Sequence, residues 1–399
     1  MPADRFALLK TPLPTEAALD TTPMADFKGL AFMALSGHDS LSRCFEFDIS
    51  AISGTPDLKS NDLLGQEVGL KLTADRDNPD VARFFHGIVD GFRFAGSDDE
   101  GHWLYHLILR PRLWLLGKTT DNRIFQEMTV VDIVSEILDQ HGCTDYEWNL
   151  LSKPPQRDYC VQYDESDLNF VQRLLEHEGI FYFFRFEDGK HALVLCDDVD
   201  KLKPAAPYGT LEFRDSRADR HTGTGRITRF SRVDSIVPGS HSLTDYDFEK
   251  PSADLTARSE NALDHSESGG ARYSYPGNYI EHGRGDDLAR IRNRQDQSHA
   301  CVITALSTAA GPSSGNMFKL TGFPRSAEND AYVIERAVYD IRGSRYRTRG
   351  RDVSDATSRA LSIEDDLART ADGGGFSAIY TLVPQGGRIV RCARRRGRR

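Results

Sequence analysis

The 399-residue sequence lacks most signals of membrane insertion and metal binding. No run approaches the roughly 18 consecutive apolar residues that indicate a transmembrane helix. The six cysteines form no C-x-x-C pair and do not lie at zinc-ligand spacing with histidine, so we expect reduced thiols and synthesis in a reducing compartment. Residues 1–20 contain no apolar core of a secretory signal, which predicts cytoplasmic synthesis without an N-terminal address.

Catalytic motifs are missing as well. There is no Walker A loop, no G-x-S-x-G elbow and no H-E-x-x-H helix. His102 and His106 lie four residues apart on a predicted strand, roughly 13 Å from each other, which is too far to share one metal. The acids at 98–100 and 197–198 flank predicted turns, where solvated carboxylates are the ordinary interpretation and glycosidase-type acids the alternative. We therefore predict no catalytic residue, no metal, no cofactor and no enzymatic activity.

Two other features have ordinary structural interpretations. His177 lies at the end of a predicted helix, where a cation interacts favourably with the helix dipole. Residues 284–286 spell Arg-Gly-Asp, a tripeptide of adhesion ligands that is short enough to arise by chance. Neither feature predicts a site.

The charge is unevenly distributed. The chain has 50 basic and 60 acidic residues, a net charge of −10, yet residues 388–399 hold seven Arg and no acid. Removing those seven positive charges leaves −17 for the rest of the chain. Because nucleic-acid binding needs a basic face, this acidic body predicts that nucleic acid is not a partner.

The first third of the chain has the pattern of strands. Residues 43–49 and 103–109 alternate apolar and polar side chains with a period of two. The run 83–94 is interrupted by two glycines, which indicate bends or bulges such as those at barrel corners. We predict a small β-barrel or sandwich over residues 1–118.

The middle of the chain changes to an α/β pattern. Apolar spacing over 129–141 predicts a helix capped by Thr129, and residues 164–178 predict a second one. Two apolar runs around a Gly-containing turn at 180–197 predict a hairpin. We assign residues 119–200 to one α/β block.

Strands return in the last third, which we assign to a second β domain over residues 201–375. A polar insertion near 251–298 contains a loosely packed stretch, 251–285, and a polar helix, 286–297. Strands are predicted over 226–233, 243–248, 300–307, 317–321 and 331–341. Without a visible active site, these patterns favour a structural or interaction protein.

The segment CVQYDESDLNFVQRLLEHEGIFYFF at 160–184 resembles the signature of VgrG proteins, the spike proteins of bacterial type VI secretion systems. The matching residues are Tyr163, Glu165, Asp167, Phe170, Arg173, Leu174, Glu176, Glu178, Gly179, Ile180 and Tyr182. Other segments resemble the family in the same order, at 41–53, 85–94, 105–138, 273–279 and 331–341. The resemblance covers roughly residues 5–375.

This resemblance implies an α+β, mainly β fold with two phage-tail-hub-like β-barrels and α/β insertions. It implies a homotrimer whose six barrels form a ring that matches the hexameric tube of Hcp-like proteins. The implied partners also include baseplate components and effector or adaptor proteins. The implied role is a structural hub without chemistry that leaves the cell through the type VI apparatus. A contractile phage or prophage tail hub stays open as an alternative, and a cell-wall hydrolase is disfavoured.

The end of the sequence departs from the family pattern. Family members continue into an OB-fold and a β-helical needle, whereas this sequence ends at residue 399 in a run of Arg and Gly. We expect a chain truncated before those parts, with an aberrant Arg-rich tail at 376–399. A shifted reading frame in GC-rich DNA is our hypothesis for that tail.

Overall fold

The computed structural model describes residues 7–14, 23–73, 81–214, 225–343 and 375–385. Strands dominate these ranges, and the predicted class, mainly β with α/β insertions, is confirmed. None of the helices in the described part of the chain has the length and apolar character needed to cross a membrane.

The first third of the chain forms strands, as its alternating pattern predicts. Phe45, Phe47 and Ile49 are fully buried on one face of their strand. The strand that contains Gly87 and Gly91 shifts its register at Gly91, in agreement with the predicted bulge. The strands are β1 (Ala7–Lys10), β2 (Ala31–Ser40), β3 (Arg43–Ser53), β4 (Glu67–Thr73), β5 (Ala82–Ser97) and β6 (Trp103–Arg110).

The middle of the chain contains the two predicted helices and the predicted hairpin. The first helix begins with a capping box, in which Thr129 and Asp132 satisfy each other's backbone N–H groups. The second helix begins at residue 167, three residues later than predicted. The elements are β7 (Thr120–Thr129), α1 (Val130–Gln140), β8 (Tyr146–Asn149), β9 (Gln156–Ser166), α2 (Asp167–Glu178), β10 (Phe181–Glu187) and β11 (Lys190–Cys196).

Strands and one long helix make up the last third. They are β12 (Lys203–Pro204), β13 (Thr210–Glu212), β14 (Ile227–Asp234), β15 (Ser240–Leu243), β16 (Ala257–Glu260), β17 (Ala271–Ser274), α3 (His282–Gln297), β18 (Cys301–Ser307), β19 (Asn316–Thr321), β20 (Ala331–Arg342) and β21 (Gly375–Pro384). Short 3-10 helices lie at 24–26, 60–62, 112–118, 199–201 and 326–328.

Two boundaries differ from the sequence prediction. The strand expected at 243–248 lies at 240–243, because Asp245 and Asp247 accept hydrogen bonds from the backbone N–H groups of Tyr246 and Glu249 and turn the chain. The polar helix begins at 282 rather than 286, because two glycines in its first turn hide the helical pattern.

The predicted start of the Arg-rich tail, at residue 376, is too early in the chain. Residues 376–384 form most of β21, which pairs with β20 on one side and β18 on the other. The tail therefore cannot begin before Gln385, and residues 386–399 lie outside the described residues.

One large sheet joins the two ends of the chain. Its strand order is β1-β4-β5-β6-β3-β2-β20-β21-β18-β14, with β19, β12 and β13 attached through β20. At its centre β2 and β20 pair antiparallel, from Ala34 opposite Arg342 to Ser40 opposite Arg336. The hairpin β10–β11 and helices α1 and α2 pack against the first half of this sheet around a common core.

The insertion near 251–298 has a core of its own. Strands β16, β15 and β17 form a separate three-stranded sheet against α3. The buried Tyr279 hydroxyl donates a hydrogen bond to the Leu243 carbonyl, 3.0 Å away. The prediction of loose packing over residues 251–285 is therefore wrong where these residues contribute to this core. The core residues are Leu243, Leu255, Ala257, Tyr279, Leu288 and Ala289.

We predict that Gly179→Ala destabilises the protein more than Gly142→Ala. Each glycine follows the end of a helix and itself has a left-handed backbone conformation, with φ 72° at Gly179 and 65° at Gly142. An alanine in that conformation lowers the free energy of unfolding by about 1 kcal/mol. A Cβ at residue 179 would also lie 3.0 Å from the Ile291 side chain of α3, whereas one at residue 142 would meet open space. Urea unfolding of both variants measures the difference, and equal losses would contradict a tight contact between α2 and α3.

Candidate functional site around the signature helix

The signature segment forms the end of β9, all of α2 and the start of β10. Strand β9 extends to Ser166, whose hydroxyl caps α2 by accepting a hydrogen bond from the Asn169 N–H at 3.2 Å. Glu165 therefore lies in the strand, where it accepts hydrogen bonds from the Arg173 guanidinium, the shortest at 2.5 Å. This ion pair gives Glu165 a structural role, because it joins the end of β9 to α2.

Asp167 connects the start of α2 to three other elements. Its side chain is only 2% exposed and is contacted by His141 Nε2 at 2.6 Å, Gln162 Nε2 at 2.7 Å and the Arg123 guanidinium. Burial alone would raise the pKa of Asp167, but these hydrogen bonds and the Arg123 charge lower it below its usual range. The ionised carboxylate thus fixes β7, β9 and the end of α1 around α2.

Glu178 has the same role at the other end of α2. Its side chain is 3% exposed and accepts hydrogen bonds from Arg157 of β9 and Arg284 of α3, both at 2.6 Å. Despite its burial, the Arg284 charge and the hydrogen bond from Arg157 lower the pKa of Glu178 to about 2. This carboxylate connects the α/β block to the insertion.

The contacts of Glu178 correct the interpretation of His177 as a cation and explain the Arg-Gly-Asp tripeptide. Burial lowers the pKa of His177, and the Arg157 guanidinium donates to its Nδ1 at 3.0 Å, so His177 is neutral rather than the expected cation. Arg284, the first residue of the Arg-Gly-Asp tripeptide, is largely buried in its ion pair. Gly285 packs against the Tyr279 ring, so this tripeptide has a packing role.

The other residues considered as candidates do not converge. His102 contacts Asp98 at 3.1 Å, whereas His106 contacts Asp48 at 3.2 Å. Asp197 accepts the backbone N–H of Leu151, as a turn acid does. Within the described ranges, no group of three or more His, Cys, Asp or Glu side chains could hold a metal ion.

The sequence pattern missed one histidine pair. His86 is buried in β5 and its Nδ1 lies 2.9 Å from Nδ1 of His191, the second residue of β11. Residue 191 occupies an unremarkable place at the start of an apolar strand. Only the packing of the hairpin on the sheet reveals the pair.

An exposed apolar surface lies on the outer side of the two-stranded ribbon β7–β9. Side chains of β9 alternate, so that Cys160 and Gln162 are buried while their neighbours point outward. Such an exposed apolar cluster is typical of an interaction surface. We call these residues the ribbon face: Ile124, 60% exposed, Tyr159, 54%, Val161, 37%, and Tyr163, 78%.

A groove of about 930 Å³ adjoins the ribbon face. It runs between β9 and α2 on one side and the loop that leads into α3 on the other. Arginines and acids line it together, and most of the arginines are already paired with carboxylates. The groove residues include Arg157, Tyr159, Arg173, His177, Ile280 and Arg284. The site as a whole offers a contact surface next to a groove of fixed geometry.

Comparison with solved structures identifies the class of fold. An Escherichia coli protein described as a component of the type VI secretion system, with structural similarity to the T4 phage tail proteins gp27 and gp5, superposes with a TM-score of 0.62 at 20% identity over 92% of this chain and 77% of its own. The 43 kDa tail protein of prophage MuSo2 from Shewanella oneidensis superposes with a TM-score of 0.58 at 10% identity over 96% and 98%. The chain thus has the fold of phage tail hub proteins, as expected.

Sequence comparison then gives the family. The model of the phage tail baseplate hub (GPD) family matches residues 38–344, and the chain belongs to this family. It is 35% identical over 325 residues to the type VI secretion system spike protein VgrG1b of Pseudomonas aeruginosa PAO1. That match covers 80% of this chain but 43% of the Pseudomonas protein, so the chain spans less than half the length of this relative. The predicted resemblance to VgrG proteins is confirmed.

We predict that Glu178→Gln lowers the free energy of unfolding by about 3 kcal/mol at pH 7, because two buried guanidinium groups lose their counter-charge. Since the pKa of Glu178 is lowered, its stabilising contribution is complete above the usual pKa of 4.5 and is lost as the pH falls toward 2. The difference between variant and wild type should therefore shrink over that interval. Urea unfolding from pH 7 to pH 2.5 measures it.

The matched control is Glu136→Gln, which removes an exposed carboxylate from α1. It should change stability by less than about 0.5 kcal/mol. Equal losses in the two variants would show that the Glu178 ion pairs contribute nothing specific.

Proposed function

We propose that this protein is a structural hub of a type VI secretion spike. The observation that carries this proposal is the family membership, together with 35% identity to a type VI spike protein over 80% of the chain. The charged residues of the signature segment support a mechanical role, since Asp167 and Glu178 fix elements to one another and face no open reaction site. The hub has no chemistry of its own in this proposal.

The proposed assembly is a homotrimer. Its mechanism is to adapt a hexameric, Hcp-like tube to a threefold tip, with baseplate components and effector or adaptor proteins as further partners. The ribbon face supports an assembled state, because it leaves four large apolar side chains in water on the isolated chain. We also propose the domain limits 1–118, 119–200 and 201–375, with the second β domain extended to include β21. The protein would be made in the cytoplasm and leave through the secretion apparatus.

A hub of a contractile phage or prophage tail is the second candidate. The observation that favours it is the superposition on the prophage MuSo2 tail protein, which covers 98% of that protein with a TM-score of 0.58. Neighbouring genes separate the two: an effector and immunity pair supports secretion, and tail-assembly genes support a phage tail. A cell-wall hydrolase would need peptidoglycan cleavage by the purified chain that is lost on mutating one acid.

We predict a solution mass of about 134 kDa, three times the 44.7 kDa of one chain, by light scattering behind a sizing column. The double variant Ile124→Ser, Tyr163→Ser should shift toward one chain, because it removes apolar area from the ribbon face. The matched control Val233→Ser, Tyr273→Ser changes equally exposed residues elsewhere and should stay trimeric. If the wild type is a monomer at every concentration, the proposed homotrimer is wrong. If the ribbon-face variant stays trimeric, the contact between chains does not involve the ribbon face.

A further inference from the structure

Two imidazoles, one buried and one half-buried, meet where the hairpin β10–β11 packs on the large sheet. His86 of β5 is 3% exposed, and its Nδ1 lies 2.9 Å from Nδ1 of His191 in β11. The other ring nitrogen of His191, Nε2, accepts the backbone N–H of Arg112 at 3.1 Å. The rings of Phe45 and Phe184 stand nearly edge-on to the His191 ring, with centroids 5.5 and 6.0 Å away. The His191 ring therefore packs against two aromatic rings and is fixed by two hydrogen bonds.

These contacts determine which nitrogen carries each proton. Because Nε2 of His191 accepts from Arg112, neutral His191 holds its proton on Nδ1. That proton is donated to Nδ1 of His86, so neutral His86 holds its own proton on Nε2. The two facing nitrogens thus share a single hydrogen.

A second proton cannot enter this arrangement without breaking a hydrogen bond. Protonation of His86 at Nδ1 would set two N–H groups against each other across 2.9 Å. Moving the His191 proton to Nε2 would relieve that conflict but would set it against the Arg112 N–H. Either change leaves a buried donor without an acceptor.

We propose that His86 and His191 form an acid-sensitive latch that holds the hairpin β10–β11 on the sheet at neutral pH and loosens the turn of the hairpin when the pair takes up a proton. The hairpin turn lies next to the pair, at residues 188–189, between the paired residues Glu187 and Lys190. The proposal concerns the fold alone and does not depend on the function proposed above.

The charged surroundings decide which histidine is protonated first. A cavity of about 280 Å³ adjoins the pair. The charged groups that face it come from β4, the segment after β6, the loop after α1 and the hairpin: Glu67, Arg112, Asp145, Asp188 and Lys190.

Burial lowers the pKa of His191 to about 3, and the neighbouring charges of His86 and Arg112 add to this effect. Burial also lowers the pKa of His86, but the carboxylates of Glu67, Asp145 and Asp188 oppose that shift. His86 therefore takes the first proton.

The sign of the pH effect follows from these directions. A histidine whose pKa is lowered in the packed state binds fewer protons there than in the open state. The latch is thus at full strength above the ordinary histidine pKa of 6.5 and weakens as the pH falls below it. Lys10 of β1 forms an ion pair with Asp188 at the hairpin turn.

The first test is the tautomer of each ring in the wild-type protein. Nuclear magnetic resonance of ¹⁵N-labelled imidazoles at pH 7.5 should show His191 with its proton on Nδ1 and His86 with its proton on Nε2. Any other assignment would overturn the latch, and this measurement requires no variant to fold.

The second test is hydrogen exchange of the hairpin amides at pH 7.5 and pH 5.0, corrected for the intrinsic pH dependence of exchange. In the wild type, opening of residues 187–192 should increase roughly tenfold or more. The variant His86→Asn places an amide oxygen where Nδ1 lies and cannot be protonated, so its hairpin should respond much less. The control His102→Asn alters an outlying histidine paired with Asp98 and should keep the wild-type response. An unchanged wild-type hairpin, or equal responses in wild type and His86→Asn, would refute the proposal.

Discussion

The pairing of β2 with β20 is the interaction on which the rest of the structure depends. It joins strands from the first and last thirds of the chain into one sheet, and the hairpin β10–β11 packs on the first half of that sheet. Behind this seam, the buried Asp39 accepts hydrogen bonds from the Ser314 N–H and the Tyr339 hydroxyl, both at 3.2 Å. The Arg83 guanidinium lies over the Tyr339 and Phe85 rings close by. A polar network at the centre of the seam favours one register of the two strands.

Buried ion pairs determine the geometry around α2. Asp167 and Glu178 are almost fully buried, yet both stay ionised because arginines from other elements pair with them. Burying each pair costs desolvation free energy, and the pair in turn fixes the helix, the ribbon and the insertion in a defined arrangement. Any shift of α2 relative to α3 would break the ion pair between Glu178 and Arg284, so this use of charge fixes the two helices to each other.

Local features were predictable from the sequence and long-range ones were not. The capping box at Thr129 and the alternation in β3 depend on neighbours in sequence, so both were predicted. The start of α2 was misplaced because β9 continues past a register shift at Asp164, whose φ is 46°, to Ser166, and no spacing rule indicates this. A period-two pattern predicts a strand but does not indicate which strand pairs with it. The pairing of β2 with β20 therefore could not be predicted from the sequence. The signature motif located the candidate site, but the contact of His86 with His191 needed the packed hairpin.

The central seam also sets a condition on biosynthesis. Ser40 pairs with Arg336, about 300 residues later in the chain. At the usual rate of about 5–20 residues per second, a ribosome needs on the order of 15–60 s to make the segment between them. During that interval one edge of β2 has no partner from its own chain, and an unpaired edge invites pairing with other chains. A high concentration of nascent chains therefore favours aggregation before the last third emerges, and a lower expression level or chaperone cover during that interval should raise the folded yield.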